Sequence, residues 1–112
     1  MMDAEIQKKF DQVQVGDILV GCYSYNMTFY DFFEVRGKTK SSLKLQKLDK
    51  KSLPGNLYED PVVPIFNKYD GDIITRRVSK YGYMMENGEY SMGIRIDSKY
   101  DPKKRYCQNH MD

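Results

Sequence analysis

Residue types that often carry chemistry are scarce in this chain. Its 112 residues include no tryptophan, a single histidine and two cysteines. His110 is close to the C-terminus, where it lacks a fixed partner for nucleophilic or general-base catalysis. Cys22 and Cys107 are far apart in sequence, and the first ten residues lack the apolar run of a signal peptide. These features indicate a reduced protein in the cytoplasm rather than a secreted one.

Membrane spans and recognised catalytic or metal motifs are lacking as well. No apolar segment approaches the roughly 20 residues of a transmembrane helix, so we expect no membrane partner. Cys107 and His110 have a chelating spacing, but a closed metal site needs four ligands and Cys22 is the only other thiol. Gly37-Lys38-Thr39 is similar to the end of a phosphate-binding loop, although Phe32 stands where that loop needs its first glycine. We therefore expect no metal, no cofactor and no enzymatic activity.

The pattern that is present is mainly that of β-structure. Extended alternation predicts strands over residues 18–25, 28–37 and 42–48. Asp3 as N-cap, followed by the 3- and 4-spaced Ile6, Phe10 and Val13, predicts a helix over residues 4–12. We expect a single domain, mainly β with minor α content: a small antiparallel SH3-like or partly open β-barrel of about six strands, with the short N-terminal helix at one end. The barrel is expected over residues 17–97, followed by a basic tail over 98–112.

Proline and glycine positions predict how the later strands are connected. Residues 49–60 have no periodicity and contain turn-forming residues, which predicts the longest loop of the domain. Pro61 and Pro64 predict an edge strand or a short bridge, because proline cannot donate to a ladder. Asn87-Gly88 predicts a two-residue hairpin turn that places Tyr83 opposite Met92.

The strand over residues 28–37 has aromatic residues on both of its faces. Phe33 points to one face, whereas Tyr30 and Phe32 point to the other. This predicts that one of the two faces is partly exposed. Asp31 shares its face with Phe33 and would point toward the core. We therefore expect its carboxylate to accept hydrogen bonds from the backbone or from a tyrosine hydroxyl.

Two residue groups are candidate binding surfaces. The first is a polar aromatic cluster around the turn between the first two strands, and its alternative role is to pack the rim of the barrel with the hydroxyls in water. It consists of Tyr23, Tyr25, Asn26, Thr28 and Tyr30. The second is a set of cations, which either contact phosphates while the tyrosines stack bases, or remain solvated. It consists of Lys38, Lys40, Lys44, Lys47, Arg76 and Arg77. The net charge is only +2, but residues 36–51 hold seven Lys and Arg against one Asp.

The opening strands carry a resemblance to other sequences. Gly16-Asp17-Ile18, the aromatic turn Tyr23-Ser24-Tyr25-Asn26-Met27-Thr28 and the strand Asp31-Phe32-Phe33-Glu34-Val35 stand in one stretch. This stretch resembles a group of small uncharacterised proteins carried by phages and plasmids of gut bacteria. The resemblance implies only a setting, a mobile genetic element, because the group has no established activity. That setting favours a non-enzymatic inhibitor of host defence, such as an anti-CRISPR protein, as the role. The expected partner is a host protein or nucleoprotein complex. The alternative is a small β-barrel that binds nucleic acid.

Overall fold

The computed structural model describes residues 2–24, 28–54, 59–85 and 93–109. Within these ranges it describes all side chains except those at positions 23, 24, 28, 59, 85, 108 and 109. The elements are α1 (Ala4–Gln12), β1 (Ile18–Ser24), β2 (Thr28–Lys38), β3 (Ser42–Ser52), β4 (Glu59–Tyr69), β5 (Ile74–Arg77), β6 (Tyr83–Met85), β7 (Gly93–Lys99) and β8 (Tyr106–Asn109).

The N-terminal helix has the predicted bounds. The Asp3 carboxylate accepts a hydrogen bond from the Ile6 N–H at 3.0 Å, which satisfies one of the free N–H groups of the first turn. Ile6 and Phe10 are one turn apart, and both are buried against the sheet. The helix therefore covers part of a sheet face. None of the helices in the described ranges is long and apolar enough to cross a membrane.

The strands form one antiparallel sheet in the order β6-β7-β1-β2-β3-β4-β8, and β5 pairs with β3 outside this path. The prediction of a mainly β, antiparallel fold with one short helix is confirmed. The described residues contain eight strands, where the sequence predicts about six. Part of the difference lies in the predicted tail, since residues 98–99 complete β7 and residues 106–109 form β8. The terminal strands β6 and β8 are not paired with each other in the described residues, so the sheet is not closed.

Each face of the central strands carries a core, and the face of Phe32 is partly exposed as predicted, since Tyr30 and Glu34 on that face are half-buried. Phe32 and Phe33 point to opposite faces of β2, yet each has an exposed fraction of 0%. The helix-side core consists of Ile6, Phe10, Val13, Leu19, Phe33, Val35, Leu43, Leu45, Val78, Met84, Ile94 and Ile96. The tyrosine-side core consists of Val20, Phe32, Leu48, Val62 and Tyr106, with Ile18, Tyr30, Tyr69 and Tyr100 packed against it.

Strand β3 connects these two cores. Its first half pairs with β5 and places Leu43 and Leu45 in the helix-side core, whereas its second half pairs with β4 and places Leu48 in the tyrosine-side core. The strand extends to Ser52, and β4 already begins at Glu59. The predicted loop over residues 49–60 is therefore wrong at both ends, because its polar residues belong to strands with a solvated face.

Strand β4 lies inside the sheet although it contains two prolines. It pairs with β8 through residues 59–62 and with β3 on its other side, so the predicted edge position is wrong. Pro61 still accepts a hydrogen bond from the Leu53 N–H at 2.8 Å, so its carbonyl remains in the ladder. Between the pairs Leu48↔Tyr69 and Lys50↔Pro64, β3 has one intervening residue and β4 has four, residues 65–68. This bulge contains Asn67, whose φ of 63° is in the left-handed region that asparagine tolerates.

The pairing of β6 with β7 differs from the register that a two-residue turn would impose. Tyr83 lies opposite Arg95 and Met84 opposite Ile94, so the predicted pairing of Tyr83 with Met92 is wrong. The Asn87-Gly88 turn itself falls outside the described residues. The observed register buries Met84 and Ile94 in the helix-side core and leaves Tyr83 on the opposite, solvent-facing side.

Asp31 is neutralised by a lysine of the neighbouring strand. Its carboxylate lies 2.9 Å from the Lys50 Nζ atom, which also donates to the Tyr30 carbonyl oxygen at 2.7 Å. The expectation that Asp31 finds a donor is met by this ion pair, and within the described residues the donor is a lysine rather than the expected backbone or tyrosine hydroxyl. The carboxylate is only partly exposed, at 19%, which gives the pair more effect than one that is fully hydrated.

Candidate functional site: an exposed aromatic and cationic patch beside strand β6

Two exposed tyrosines and two cations lie together at the β6 end of the sheet. Tyr81 is 67% exposed and Tyr83 is 42% exposed. The Lys80 Nζ atom is 5.7 Å from the centroid of the Tyr81 ring, and the Arg95 guanidinium carbon is 5.2 Å from that of Tyr83. We call Lys80, Tyr81, Tyr83 and Arg95 the β6 patch.

A closed turn presents the patch. The Ser79 N–H donates to the Tyr83 carbonyl oxygen at 2.9 Å, the Gly82 N–H donates to the Ser79 carbonyl oxygen at 3.0 Å, and the Tyr83 N–H donates to the Ser79 hydroxyl oxygen at 3.0 Å. These bonds fix the backbone on both sides of Tyr81. Tyr81 therefore loses little backbone freedom when a partner binds, and this smaller entropic cost favours affinity.

Gly82 anchors this turn to the helix-side core. Its φ is +81°, and a Cβ atom there would lie 3.0 Å from the Ile96 Cγ2 atom and 3.1 Å from the Ile6 Cδ1 atom. Its carbonyl oxygen also accepts the Ile96 N–H at 3.0 Å. A glycine is thus needed both for the backbone conformation and for the close approach.

The Tyr83 ring lies across the glycine of the neighbouring strand. An ideal Cβ on Gly93 would be 3.0 Å from the Tyr83 Cε1 atom. Because Arg95 is opposite Tyr83 in the register, its guanidinium stacks over the same ring. Exposed cation–π contacts of this kind contribute about 0.5–1 kcal/mol and hold the ring in one orientation.

Arg95 and Asp97 form the charged border of the patch. The Arg95 Nε atom lies 3.1 Å from one Asp97 carboxylate oxygen, and the Lys9 Nζ atom lies 3.4 Å from the other. The hydrogen bond and negative charge of Asp97 raise the pKa of Arg95. Partial burial disfavours the Asp97 carboxylate, but Arg95 and Lys9 outweigh it, so the pKa of Asp97 lies below its usual value.

Most of the predicted tyrosine cluster lies outside the residues and side chains that the structure describes. Tyr25 and Asn26 lie outside the described residues, and the side chains of Tyr23 and Thr28 are not described. Tyr30 is half-buried against the tyrosine-side core, with its ring centroid 5.5 Å from that of Tyr106. Burial, followed by the nearby thiols Cys22 and Cys107 and the Tyr106 hydroxyl, raises the pKa of Tyr30. Its contacts match the alternative interpretation, in which the ring packs the rim.

Lys38 serves the fold. Its Nζ atom donates to the carbonyl oxygens of Phe10 and Val13 at 2.6 and 3.1 Å, and it lies 4.5 Å from the centroid of the Phe10 ring. It thereby supplies a cation at the C-terminus of α1, where carbonyl groups lack intrahelical partners and the helix dipole is negative.

The other predicted cations divide between the two faces of the sheet. Lys47 lies 3.7 Å from an Asp70 carboxylate oxygen, and Arg76 is half-buried and donates to the Thr75 carbonyl oxygen at 3.0 Å. Lys40, Lys44 and Arg77 are exposed. Since Lys44 pairs with Thr75, and Ser42 with Arg77, the exposed Lys44 and Arg77 project from one face. The structure therefore brings these two together and separates them from Lys38 and Arg76.

In the described part of the chain, no group of three or more His, Cys, Asp or Glu side chains could hold a metal ion. Cys22 and Cys107 are free thiols, and burial raises the pKa of Cys22. Residue His110 lies outside the described ranges.

Comparison of the chain with known protein families, with curated proteins and with solved structures finds no match in any of the three.

The sequence gives little signal for the β6 patch. Tyr81 and Tyr83 alternate with Gly82, which is consistent with a strand, and the Asn87-Gly88 signal assigns Tyr83 a different partner. Only the register Tyr83↔Arg95 puts a cation on that ring. The glycine between the two tyrosines could have suggested an exposed turn, but no local pattern contains the arginine that stacks on Tyr83.

Proposed function

We propose that this protein is a non-enzymatic binding protein that inhibits a host defence complex in the bacterial cytoplasm through protein–protein contact. The phage or plasmid setting comes from the sequence resemblance over residues 16–35. The observation that supports the binding role is the β6 patch, in which two exposed rings are held by a closed turn and by cations. Tyrosine and arginine are enriched among the residues that dominate protein-binding energy.

The chemistry of the β6 patch favours a protein partner. Each ring offers a flat apolar surface with a hydroxyl at its end, and Lys80 and Arg95 add two positive charges that would complement an acidic surface. Truncating a central tyrosine in such an interface costs about 2 kcal/mol or more, which is roughly a thirtyfold loss of affinity. Catalysis is not needed for an inhibitor that binds its target one-to-one.

The test is capture of a partner from the native bacterial host with the wild-type chain and with Tyr81→Ser/Tyr83→Ser, followed by mass spectrometry and measurement of stoichiometry. We expect a one-to-one partner that the double variant loses while its melting temperature stays close to that of the wild type. Phe66→Ser is the matched control, since Phe66 is 59% exposed but lies on β4. Equal retention of the partner by the double variant, or absence of any stoichiometric protein partner, would refute the proposal.

Nucleic-acid binding is the second candidate function, and the exposed cations on one sheet face favour it. Lys44 and Arg77 project together and Lys40 is exposed nearby in the turn after β2. Binding to phosphates at this surface would weaken steeply with salt. A titration with single-stranded RNA and DNA at low salt, with Lys44→Glu/Arg77→Glu as the variant, tests it, and a flat titration removes it.

We also propose that the tyrosine-side half of the fold is a partly open, SH3-like barrel. Strand β8 packs against β2 as well as pairing with β4, which brings the end of the sheet back over the tyrosine-side core. An experimental structure in which β8 is separated from β2 would contradict this architecture.

A further inference from the structure

A cleft of about 350 Å³ lies between α1 and the strands β1 and β7. Its origin is an interruption of the β1–β7 ladder. Leu19 pairs with Lys99, and Gly21 pairs with Ile94. Between these two pairs β1 has one residue, Val20, whereas β7 has the four residues 95–98, which are out of register with β1. The helix covers this interruption only in part, and the volume is within the lower range of small-molecule sites.

The floor of the cleft is apolar. It is formed by Val13, Leu19 and Ile96, which are 7%, 1% and 4% exposed. These side chains belong to the helix-side core, so their positions are set by packing on their other sides. A ligand with a short aliphatic group would cover the accessible part of this floor and remove it from water.

The rim of the cleft carries two ion pairs, and in one the lysine is on α1 whereas in the other it is on β7. The Lys9 Nζ atom lies 3.4 Å from Asp97, and the Lys99 Nζ atom lies 3.3 Å from Asp17. These four groups have no net charge when ionised, so a purely anionic or purely cationic ligand would leave one sign in excess. A ligand with one positive and one negative charge would leave the rim without an excess of either sign.

The two members of the Asp17–Lys99 pair are held very differently. The Asp17 side chain is 20% exposed and accepts a hydrogen bond from the Gln14 N–H at 2.9 Å, whereas the Lys99 side chain is 67% exposed. A ligand ammonium group can therefore take the place of Lys99 at Asp17, and the released Lys99 can bind the ligand carboxylate. The exchange replaces the single Asp17–Lys99 pair by two pairs, one from each residue to the ligand, and it adds burial of the aliphatic group.

We propose that this cleft binds a small zwitterion with an aliphatic side chain, of the class of the branched α-amino acids. The ammonium group binds Asp17, the carboxylate binds Lys99, and the side chain lies on Val13, Leu19 and Ile96. This inference does not rest on the protein-binding function, because none of the five residues proposed to contact the ligand belongs to the β6 patch.

The test is a titration of the isotopically labelled full chain with L-leucine, followed by amide chemical shifts. We expect saturable shifts concentrated at residues 9–19 and 96–99. L-Leucinamide lacks the carboxylate and N-acetyl-L-leucine lacks the ammonium group, so each should bind at least about tenfold more weakly, as expected for the loss of one charge-assisted contact. Lys99→Met should weaken L-leucine binding by a similar factor.

Lys68→Met is the matched control. Lys68 is also 67% exposed and lies 3.5 Å from a carboxylate, that of Asp49, but it is on β4. We expect it to bind L-leucine like the wild type. Shifts that do not saturate, equal binding of the two singly charged analogues and L-leucine, or equal loss in the two lysine variants would each overturn the proposal. The analogue series uses the wild-type chain, so it decides the question even if a variant folds poorly.

Discussion

Replacing Lys38 by methionine tests whether this lysine holds the helix to the sheet. The substitution keeps a long apolar stem, which can still cover Phe10, but removes the ammonium group. Two hydrogen bonds to the end of α1 are lost, at 2.6 and 3.1 Å, together with the contact to the Phe10 ring at 4.5 Å. The Phe10 carbonyl oxygen retains the Val13 N–H at 3.1 Å, whereas the Val13 carbonyl oxygen loses the Lys38 donor.

The expected loss of stability follows from these contacts. Hydrogen bonds to charged groups contribute about 1.5–3 kcal/mol each when well shielded, and the helix-terminal charge about 0.3–1 kcal/mol. Lys38 is half-buried and water can replace part of what is lost. We therefore expect Lys38→Met to lower the free energy of unfolding by about 2–3 kcal/mol, a large part of the 5–15 kcal/mol typical of a domain.

Urea unfolding followed by circular dichroism measures this loss. With an m-value of about 2 kcal/mol/M, the middle of the usual range, the midpoint should fall by about 1–1.5 M. Lys40→Met is the control, because Lys40 is exposed and has no ion pair or hydrogen bond through its side chain within the described ranges. It should change the midpoint little. If both variants unfold at the same urea concentration as the wild type, Lys38 does not stabilise the end of the helix. That result would favour the other predicted role of Lys38, a contact to phosphate.

Two further predictions concern the core and pH. Phe32→Leu and Phe33→Leu should each lower the free energy of unfolding by about 1 kcal/mol, because each ring is fully buried on its own side of the sheet; a neutral effect of either in urea unfolding would show that its face is not covered. Since the pKa of Asp97 is lowered by folding, its contribution is present above the ordinary value of 3.8 and is lost as the pH falls through the folded value. The melting-temperature difference between wild type and Asp97→Asn should therefore shrink below pH 3.8, and a difference independent of pH would contradict the assignment.

Several elements of the fold could be predicted because their causes are local. The bounds of α1 follow from the Asp3 cap and the spacing of Ile6 and Phe10, and the course of β1 and β2 follows from alternation. The edge position predicted from Pro61 and Pro64 is wrong for a different kind of reason. A proline removes one donor, but whether that donor was needed depends on how the neighbouring strand meets it.

The candidate site was harder to predict than the strands. A tyrosine on an alternating strand is compatible with the core, with a rim or with a binding surface, and only its neighbours decide among these. Tyr30 has Tyr106 against its ring, whereas Tyr83 has Arg95 over it and solvent beyond. Both partners are distant in sequence, so no local pattern contains them.

Sequence alone determined that β1 and β2 are extended, where the helix begins and ends, and that the second strand is aromatic on both faces. It determined this because capping and alternation act between residues a few positions apart. The tertiary structure decided that residues 49–52 and 106–109 are strands, that Phe32 and Phe33 are both buried, that Lys38 binds the end of the helix, and that Tyr81 and Tyr83 remain exposed beside Arg95. Those outcomes depend on which distant strand or helix covers each face, and that choice is made by the packing of the whole chain.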